Sequence, residues 1–221
     1  MTGSSGISSC QRCGQCCQKH TPSLHKADLR LLKKGVLSVS KLYTLRVGEP
    51  VFDNIKGKQI LLQDELIKIR EDQDTGACIF YDHPGLACTI YEQRPIQCRS
   101  FECWNENKLK TLFKTRKLNR MDVVEEQVII DLIKAHESRV PFRKFFNLLT
   151  ISKPSPDIEN QILDLINYDL HFRKFVSDRL SLSKDELDFY FGRSLIECIK
   201  PLGFKLSGSA EQGYILEATE S

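Results

Sequence analysis

Residues 10–17 read CQRCGQCC and place four cysteines within eight positions. Cysteine thiolates bind zinc and iron–sulfur clusters, and a C-x2-C turn lets two sulfurs point at one metal centre. Cys10, Cys13 and Cys16 repeat this spacing, which gives the C-x2-C-x2-C pattern of three ligands to an iron–sulfur cluster. Cys17 directly follows Cys16, and neighbouring side chains diverge in an extended segment. The pair therefore predicts ligands to different metals or to different irons.

A second group of cysteines follows in the same half of the chain: Cys78, Cys88, Cys98 and Cys103. Together the two groups supply eight thiolates, which is enough for two four-thiolate sites. The second group contains no C-x2-C knuckle, whereas a structural zinc site usually has two knuckles, or one knuckle and a histidine pair. The spacing therefore favours an iron–sulfur cluster, and a two-zinc thiolate cluster is the alternative.

Other side chains near the cysteines have predicted roles of their own. His20 could replace a thiolate as ligand, but with eight thiols available we expect it to face solvent. Arg94 and Arg99 are expected to neutralise a negatively charged thiolate centre, although either could instead bind a carboxylate or phosphate substrate. The ninth cysteine, Cys198, is expected to be a buried structural thiol. Four aromatic residues are expected to form an apolar shell around the metals: Phe80, Tyr91, Phe101 and Trp104.

The segments CQRCGQCC and CIFYDHPGLACTIYEQRPIQCRSFECW together resemble the CxxCxxCC, or YkgJ-type, cysteine-cluster family over residues 10 to about 104. Members of this family are described as zinc- or iron-chelating and as iron–sulfur proteins, and the module also occurs in a flagellin lysine N-methylase. The resemblance implies a module whose partners are metal ions. A metal-dependent protein-modifying enzyme related to that methylase is one alternative. A structural zinc module that binds a protein partner is the other.

Composition limits the class of protein further. The 221 residues are 41% hydrophobic and 28% charged, which is typical of a globular protein. The net charge is only +3 and no long run has one sign, so the electrostatic footprint of a dedicated nucleic-acid-binding protein is absent. The sequence shows neither a secretory signal nor an apolar run long enough to span a membrane, so we predict a cytoplasmic protein with reduced thiols. Phosphate-binding loops are missing, and the sequence leaves open whether the protein is an enzyme.

The predicted fold class is α+β, with two parts. Residues 1–105 are expected to form a cysteine-cluster metal-binding domain of short strands and helices, which the bound metal cross-links. Residues 106–221 are expected to form a mostly helical domain, or an extension packed on the first, because apolar residues recur there at helical spacing.

Several local elements are predicted within the first half. Ser23 precedes a helical stripe that Gly35 ends, and a second short helix is expected over Val39–Leu45. The stretch from Ile60 to Ile69 fits either one helix or two strands, Ile60–Leu62 and Leu66–Ile69, joined by a short turn, and we expect the two strands.

Further elements are predicted around the distal cysteines and near the carboxyl terminus. Two β-forming stretches, residues 78–81 and 88–91, flank the turn-forming sequence DHPG, and Pro95 is suited to begin a short helix. Ser183 and Glu186 form a capping box that opens a last helix through Ile199. Residues 204–217 are expected to close as a two-stranded ribbon.

Overall fold

The computed structural model describes residues 10–53, 56–105, 107–209 and 213–219. Short antiparallel strand pairs alternate with helices, and helices dominate the second half, which confirms the predicted α+β class. The chain divides into two compact units. The first unit comprises the residues up to Tyr43 together with Leu66–Val124, and the second comprises Thr44–Glu65 and the residues from Glu125 onward. Residue 105 lies inside the first unit, and the division into a metal-binding domain over residues 1–105 and a helical domain or extension over residues 106–221 stays a prediction.

The helices of the described residues are short in the first unit and longer in the second. They are α1 (Gln15–Lys19), α2 (Leu29–Lys33), α3 (Ile96–Ser100), α4 (Asn107–Leu112), α5 (Gln127–Arg139), α6 (Phe142–Leu149), α7 (Pro156–Leu180), α8 (Lys184–Phe191) and α9 (Leu195–Ile199). Within the described ranges, no helix is both long enough and apolar enough to cross a membrane.

The strands form two-stranded pairs. They are β1 (Leu42–Leu45), β2 (Pro50–Asp53), β3 (Lys58–Leu61), β4 (Leu66–Ile69), β5 (Tyr81–Asp82), β6 (Ala87–Cys88), β7 (Phe204–Ser209) and β8 (Gly213–Ala218). β1 pairs with β4, β2 with β3, β5 with β6, and β7 with β8. The predicted ribbon over residues 204–217 is therefore confirmed.

Both strands predicted over residues 60–69 exist and are joined by a short connection, but they pair with other strands and not with each other. β3 pairs with β2 in register Val51↔Ile60. Beyond β3 the chain stays beside the same partner, because Gly48 N donates to Leu62 O and Leu62 N donates to Glu49 O. In the turn that closes this hairpin Gly57 takes φ 62°, a left-handed backbone that glycine adopts without steric cost.

Aliphatic side chains fill the core of the first unit. The most deeply buried of them are Leu24, Leu31, Leu37, Leu42, Ile67, Ile69 and Leu118. Leu24 N donates to Ile67 O, and Leu118 N donates to Leu24 O, so the segment around Leu24 lies between two extended neighbours.

Two helices predicted in this unit are shorter than expected. The helix after Ser23 begins as a 3-10 turn and becomes α2, which ends before Gly35 at φ 69°. The helix expected over Val39–Leu45 is a 3-10 turn only as far as Lys41, and the chain then forms β1. All four residues of β1 are buried. A strand can bury consecutive residues on both of its faces, whereas a helix with one buried face cannot.

Long helices build the core of the second unit. Pro156 occupies the first turn of α7, where its missing N–H costs no helical hydrogen bond. The buried cluster comprises Val140, Phe142, Phe145, Leu149, Ile162, Leu165, Ile166, Leu195, Cys198 and Ile199. Cys198 is therefore the buried thiol that the sequence predicts.

The predicted capping box at the start of α8 is confirmed, since Ser183 Oγ accepts from Glu186 N and Glu186 Oε2 accepts from Ser183 N. The predicted single helix through Ile199 is wrong, because the chain breaks between α8 and α9 at Gly192, which has φ 75°. A Cβ at Gly192 would lie 2.5 Å from Cδ of Arg46. Close packing of the Arg46 side chain therefore requires glycine at this break.

Candidate metal centre

The first two cysteines lie on an exposed turn. Arg12 N donates to Cys10 Sγ at 3.4 Å, and a hydrogen bond to sulfur stabilises a thiolate. Arg12 and Gly14 both have left-handed backbone, at φ 54° and 72°, so the chain reverses sharply on either side of Cys13. A Cβ at Gly14 would lie 2.4 Å from the ring of Tyr81. Only glycine satisfies both the backbone angle and this close approach.

The next two cysteines lie on α1. Cys17 N donates to Gly14 O at 2.9 Å, which begins the helix directly after the turn. The extended segment assumed for Cys16 and Cys17 is therefore wrong, and divergence of their side chains no longer argues for separate metals. Their Sγ atoms are 4.0 Å apart. Two ligands of one tetrahedral zinc ion lie about 3.8 Å apart, given zinc–sulfur bonds of about 2.3 Å, so the pair is compatible with a shared ion.

Backbone hydrogen bonds join the proximal and distal cysteines. Cys78 N donates to Cys17 O at 2.8 Å, although 61 positions separate the two residues in the chain. Beyond Cys78 the chain forms the β5–β6 hairpin, in which Tyr81 pairs with Cys88. Gln18 Nε2 donates to the Tyr81 hydroxyl at 2.6 Å, which ties α1 to the same hairpin.

Helix α3 positions Cys98. Pro95 precedes the helix, as predicted. Ile96 N, in its first turn, donates to Asp28 Oδ1 at 2.8 Å, and the second carboxylate oxygen of Asp28 accepts from His25 N at 3.0 Å. A buried carboxylate at a helix N-terminus satisfies otherwise unpaired N–H groups and opposes the positive end of the helix dipole. Sequence reasoning missed Asp28, because its contact with Ile96 spans 68 positions and leaves no local signal.

Five thiols influence one another's ionisation: Cys16, Cys17, Cys78, Cys88 and Cys98. Hydrogen bonding with Cys17 lowers the pKa of Cys16 to about 6 and that of Cys88 to about 7. The same two hydrogen bonds raise the pKa of Cys17. Burial raises the pKa of Cys78 to about 11 and also raises the pKa of Cys98, and nearby thiols add to both effects. The group therefore cannot ionise fully without a positive charge beside it.

Arg94 supplies part of that charge. Its guanidinium group lowers the pKa of Cys16, Cys88 and Cys98, after the larger effects of hydrogen bonding and burial. The guanidinium carbon lies 3.8 Å from the centre of the Tyr91 ring, and Nη1 donates to Tyr91 O at 2.7 Å. These contacts fix Arg94 beside the thiols, as the sequence predicts.

Arg99 behaves differently from Arg94. It is exposed, and its charge acts on the carboxyl group of Asp28. Of the aromatic residues predicted to form a shell, Phe80, Tyr91 and Trp104 are half-buried, whereas Phe101 is exposed.

Comparison with known proteins identifies the region. The family model CxxCxxCC, described as a putative zinc- or iron-chelating domain, matches residues 9–119, which is just over half of the chain. The chain belongs to this family. The match includes both cysteine groups and confirms the resemblance seen in the sequence. No curated protein and no solved structure matches the chain.

Three of the eight cysteines in the CxxCxxCC region are not among the five interacting thiols. Cys10, Cys13 and Cys103 are exposed, as is His20, which agrees with the expectation that this histidine faces solvent. Within the part of the chain that the structure describes, no three Cys, His, Asp or Glu side chains lie close enough together to hold a metal ion. The donor chemistry fits zinc and iron, which favour thiolates. The arrangement as it stands is an incomplete ligand set.

Proposed function

We propose that the CxxCxxCC region binds an iron–sulfur cluster, with zinc as the alternative metal. The proposed ligands are Cys10, Cys13, Cys16, Cys17, Cys78, Cys88, Cys98 and Cys103. The observation that carries this proposal is that proximal and distal cysteines meet: the Sγ atoms of Cys16 and Cys17 lie 4.0 Å apart, and Cys78 N donates to Cys17 O at 2.8 Å. Thiolates that repel one another are stabilised by a bound cation, which removes the cost of ionising them together.

The protein's own groups have defined parts in this proposal. Arg12 N–H donates to Cys10 Sγ, and Arg94 offsets negative charge near Cys16 and Cys88. Asp28 fixes the start of the helix that carries Cys98. A bound metal centre would supply cross-links between the exposed turn and the five interacting thiols. Because metal binding by distant cysteines is coupled to folding, the bound metal would stabilise the fold of the region.

Analysis of protein purified without air tests the identity of the metal. We expect a coloured protein that contains iron and acid-labile sulfide. A colourless protein with zinc and no sulfide would exclude the cluster and support the zinc alternative. Protein without either metal, obtained from cells supplied with both, would refute the proposal altogether.

Single cysteine substitutions test the ligand assignment. Cys88→Ala removes a thiol that interacts with Cys17, and we expect it to lower the metal content measured by elemental analysis. Cys198→Ala is the matched control, because this thiol lies in the apolar core of the second unit. Full metal content in several variants among the eight proposed ligands would contradict the assignment.

Two other functions stay predictions of the sequence. Methyl transfer to lysine and binding of a protein partner are not favoured by any contact among the described residues. Binding of S-adenosylmethionine to the metal-replete protein, measured by calorimetry, would be the first requirement for methyl transfer.

A further inference from the structure

Lys117 and His25 face each other across two extended segments of the first unit. They are partners in an antiparallel bridge, flanked by hydrogen bonds from Lys26 N to Arg116 O and from Leu118 N to Leu24 O. The bridge is therefore of the non-hydrogen-bonded kind, in which opposed side chains approach most closely. Accordingly, Lys117 Nζ lies 3.0 Å from His25 Nε2.

A chain of hydrogen bonds fixes which imidazole nitrogen faces the lysine. Thr115 Oγ1 donates to Leu112 O at 2.8 Å, so its lone pairs are free to accept a hydrogen bond from His25 Nδ1–H, 2.7 Å away. His25 Nε2 is then the unprotonated nitrogen of a neutral ring, and it accepts a hydrogen bond from Lys117. The lysine nitrogen is thereby held in one position.

The ammonium group of Lys117 has no carboxylate beside it among the described residues. Asp122 pairs instead with Lys26 and Arg116. Phe113 covers one side, with its ring centre 4.4 Å from Nζ. Burial lowers the pKa of Lys117 from 10.5 to about 8. The ring face attracts the ammonium form, which opposes this effect only weakly at a partly exposed site.

We infer that Lys117 is a nucleophilic amine, positioned by His25, that reacts with aldehydes to form an imine. The unprotonated amine attacks the carbonyl carbon, and one proton passes from nitrogen to the carbonyl oxygen to give a carbinolamine. The second nitrogen-bound proton then goes to the hydroxyl group, which leaves as water as the carbon–nitrogen double bond forms. No oxidant or reductant is consumed. A desolvated lysine without a carboxylate partner is suited to this chemistry, because a larger fraction of it is unprotonated near neutral pH.

Competitive labelling of the full-length protein tests this inference. The protein is treated with propionaldehyde and cyanoborohydride at pH 7.5, and peptides from a protease that does not cleave at lysine are quantified by mass spectrometry. Lys114 is the internal control, because it is exposed and lies in the same segment. We expect Lys117 to be alkylated roughly tenfold faster than Lys114, as an amine with a lowered pKa requires.

Three further measurements decide the outcome. The alkylation rate of Lys117 should level off near pH 8, in line with its pKa, whereas a rate that keeps rising steeply through pH 9.5 would overturn the inference. In urea the two lysines should react equally, because the folded surroundings create the difference. Lys117→Arg should remove the fast-reacting peptide while leaving the metal content unchanged, which separates this site from the proposed metal centre. Equal rates for Lys117 and Lys114 in the folded protein would also overturn it.

Discussion

The cores of the two units are formed by different kinds of side chain. Among the described residues, the phenylalanines that are fully buried all belong to the second unit: Phe142, Phe145, Phe189 and Phe191. The first unit contains eight of the nine cysteines and a core of aliphatic side chains. Aromatic side chains each bury a large apolar area, so the second unit can be stable through packing alone. Small cores often need a metal or another cross-link, which the thiols of the first unit can supply.

Charge is also handled differently in the two units. In the second unit, the buried carboxylate of Asp169 accepts hydrogen bonds from His136 Nε2, Arg173 Nε and Leu195 N. Its charge is therefore matched by protein groups. In the first unit, Cys17 forms hydrogen bonds with neighbouring thiols instead. Arg94 offsets only part of the negative charge that these thiols would carry if they were all ionised. The second unit thus matches the charge of Asp169 with its own groups, whereas in the first unit the family match and the partial compensation by Arg94 lead us to expect a bound metal cation.

Removing the metal should produce the largest difference between the units. We expect a chelator, used under reducing conditions, to abolish protection of the first unit against hydrogen exchange while α5 and α7 stay protected. Hydrogen-exchange mass spectrometry of the metal-replete and stripped proteins measures this directly. Equal loss of protection in both units would show that the second unit also depends on the metal.

A cavity in the aromatic core should destabilise the second unit and leave metal binding by the first unit unchanged. Phe145 is 0% exposed, and Phe145→Ala is expected to lower the free energy of unfolding of the second unit by about 3–5 kcal/mol. Phe175→Ala is the control, because Phe175 is 57% exposed and a surface change costs within about 0.5 kcal/mol. Denaturant titration measures the stability, and elemental analysis should find the same metal content in both variants. A loss of metal in Phe145→Ala would contradict the proposal that the first unit binds metal independently of packing in the second unit.

The turn between the proximal cysteines should be sensitive to one added methyl group. In Gly14→Ala the new Cβ would lie 2.4 Å from the Tyr81 ring, on a backbone with φ 72°. We expect metal affinity to fall by about 10- to 100-fold, as it does when groups that orient metal ligands are disturbed. Competition with a chromophoric chelator measures the affinity.

Gly35→Ala is the matched control for this substitution. Gly35 has a similar φ of 69°, but a Cβ added there would have no atom within 4 Å, so only the backbone cost of about 1 kcal/mol applies. Unequal metal affinities are the expected result. If both variants bound metal equally well, the close approach of Gly14 to Tyr81 would not position the ligands.

Acid should weaken the second unit slightly through His136. Burial lowers the pKa of His136 below 6.5, so the unfolded chain binds a proton more readily than the folded one. Stability should therefore fall as the pH decreases below about 6.5, by at most about 1.4 kcal/mol per pH unit for one proton. Hydrogen exchange of α5 measures this between pH 7 and pH 5. His136→Gln should flatten the dependence, and an unchanged slope would assign it to other groups.

The cysteine spacing and the helical second half were predictable from the sequence, because both depend on short-range patterns. Two of the local predictions that failed have identifiable causes. The last helix breaks at Gly192 because Arg46, from a distant part of the chain, packs there. The pair Cys16 and Cys17 is helical because Gly14 both reverses the chain and accepts the first hydrogen bonds of α1.

The sequence by itself determined the donor chemistry of this protein, its α+β class and its family, since side-chain type and local spacing are sufficient for these. Only the tertiary structure showed that Cys17 and Cys78 are joined through their backbones, that Asp28 holds the helix of Cys98, and that Lys117 faces His25. These contacts bring together residues far apart in the chain. Which distant groups meet depends on how the whole chain buries its apolar surface and satisfies its backbone hydrogen bonds, and local patterns do not encode that outcome.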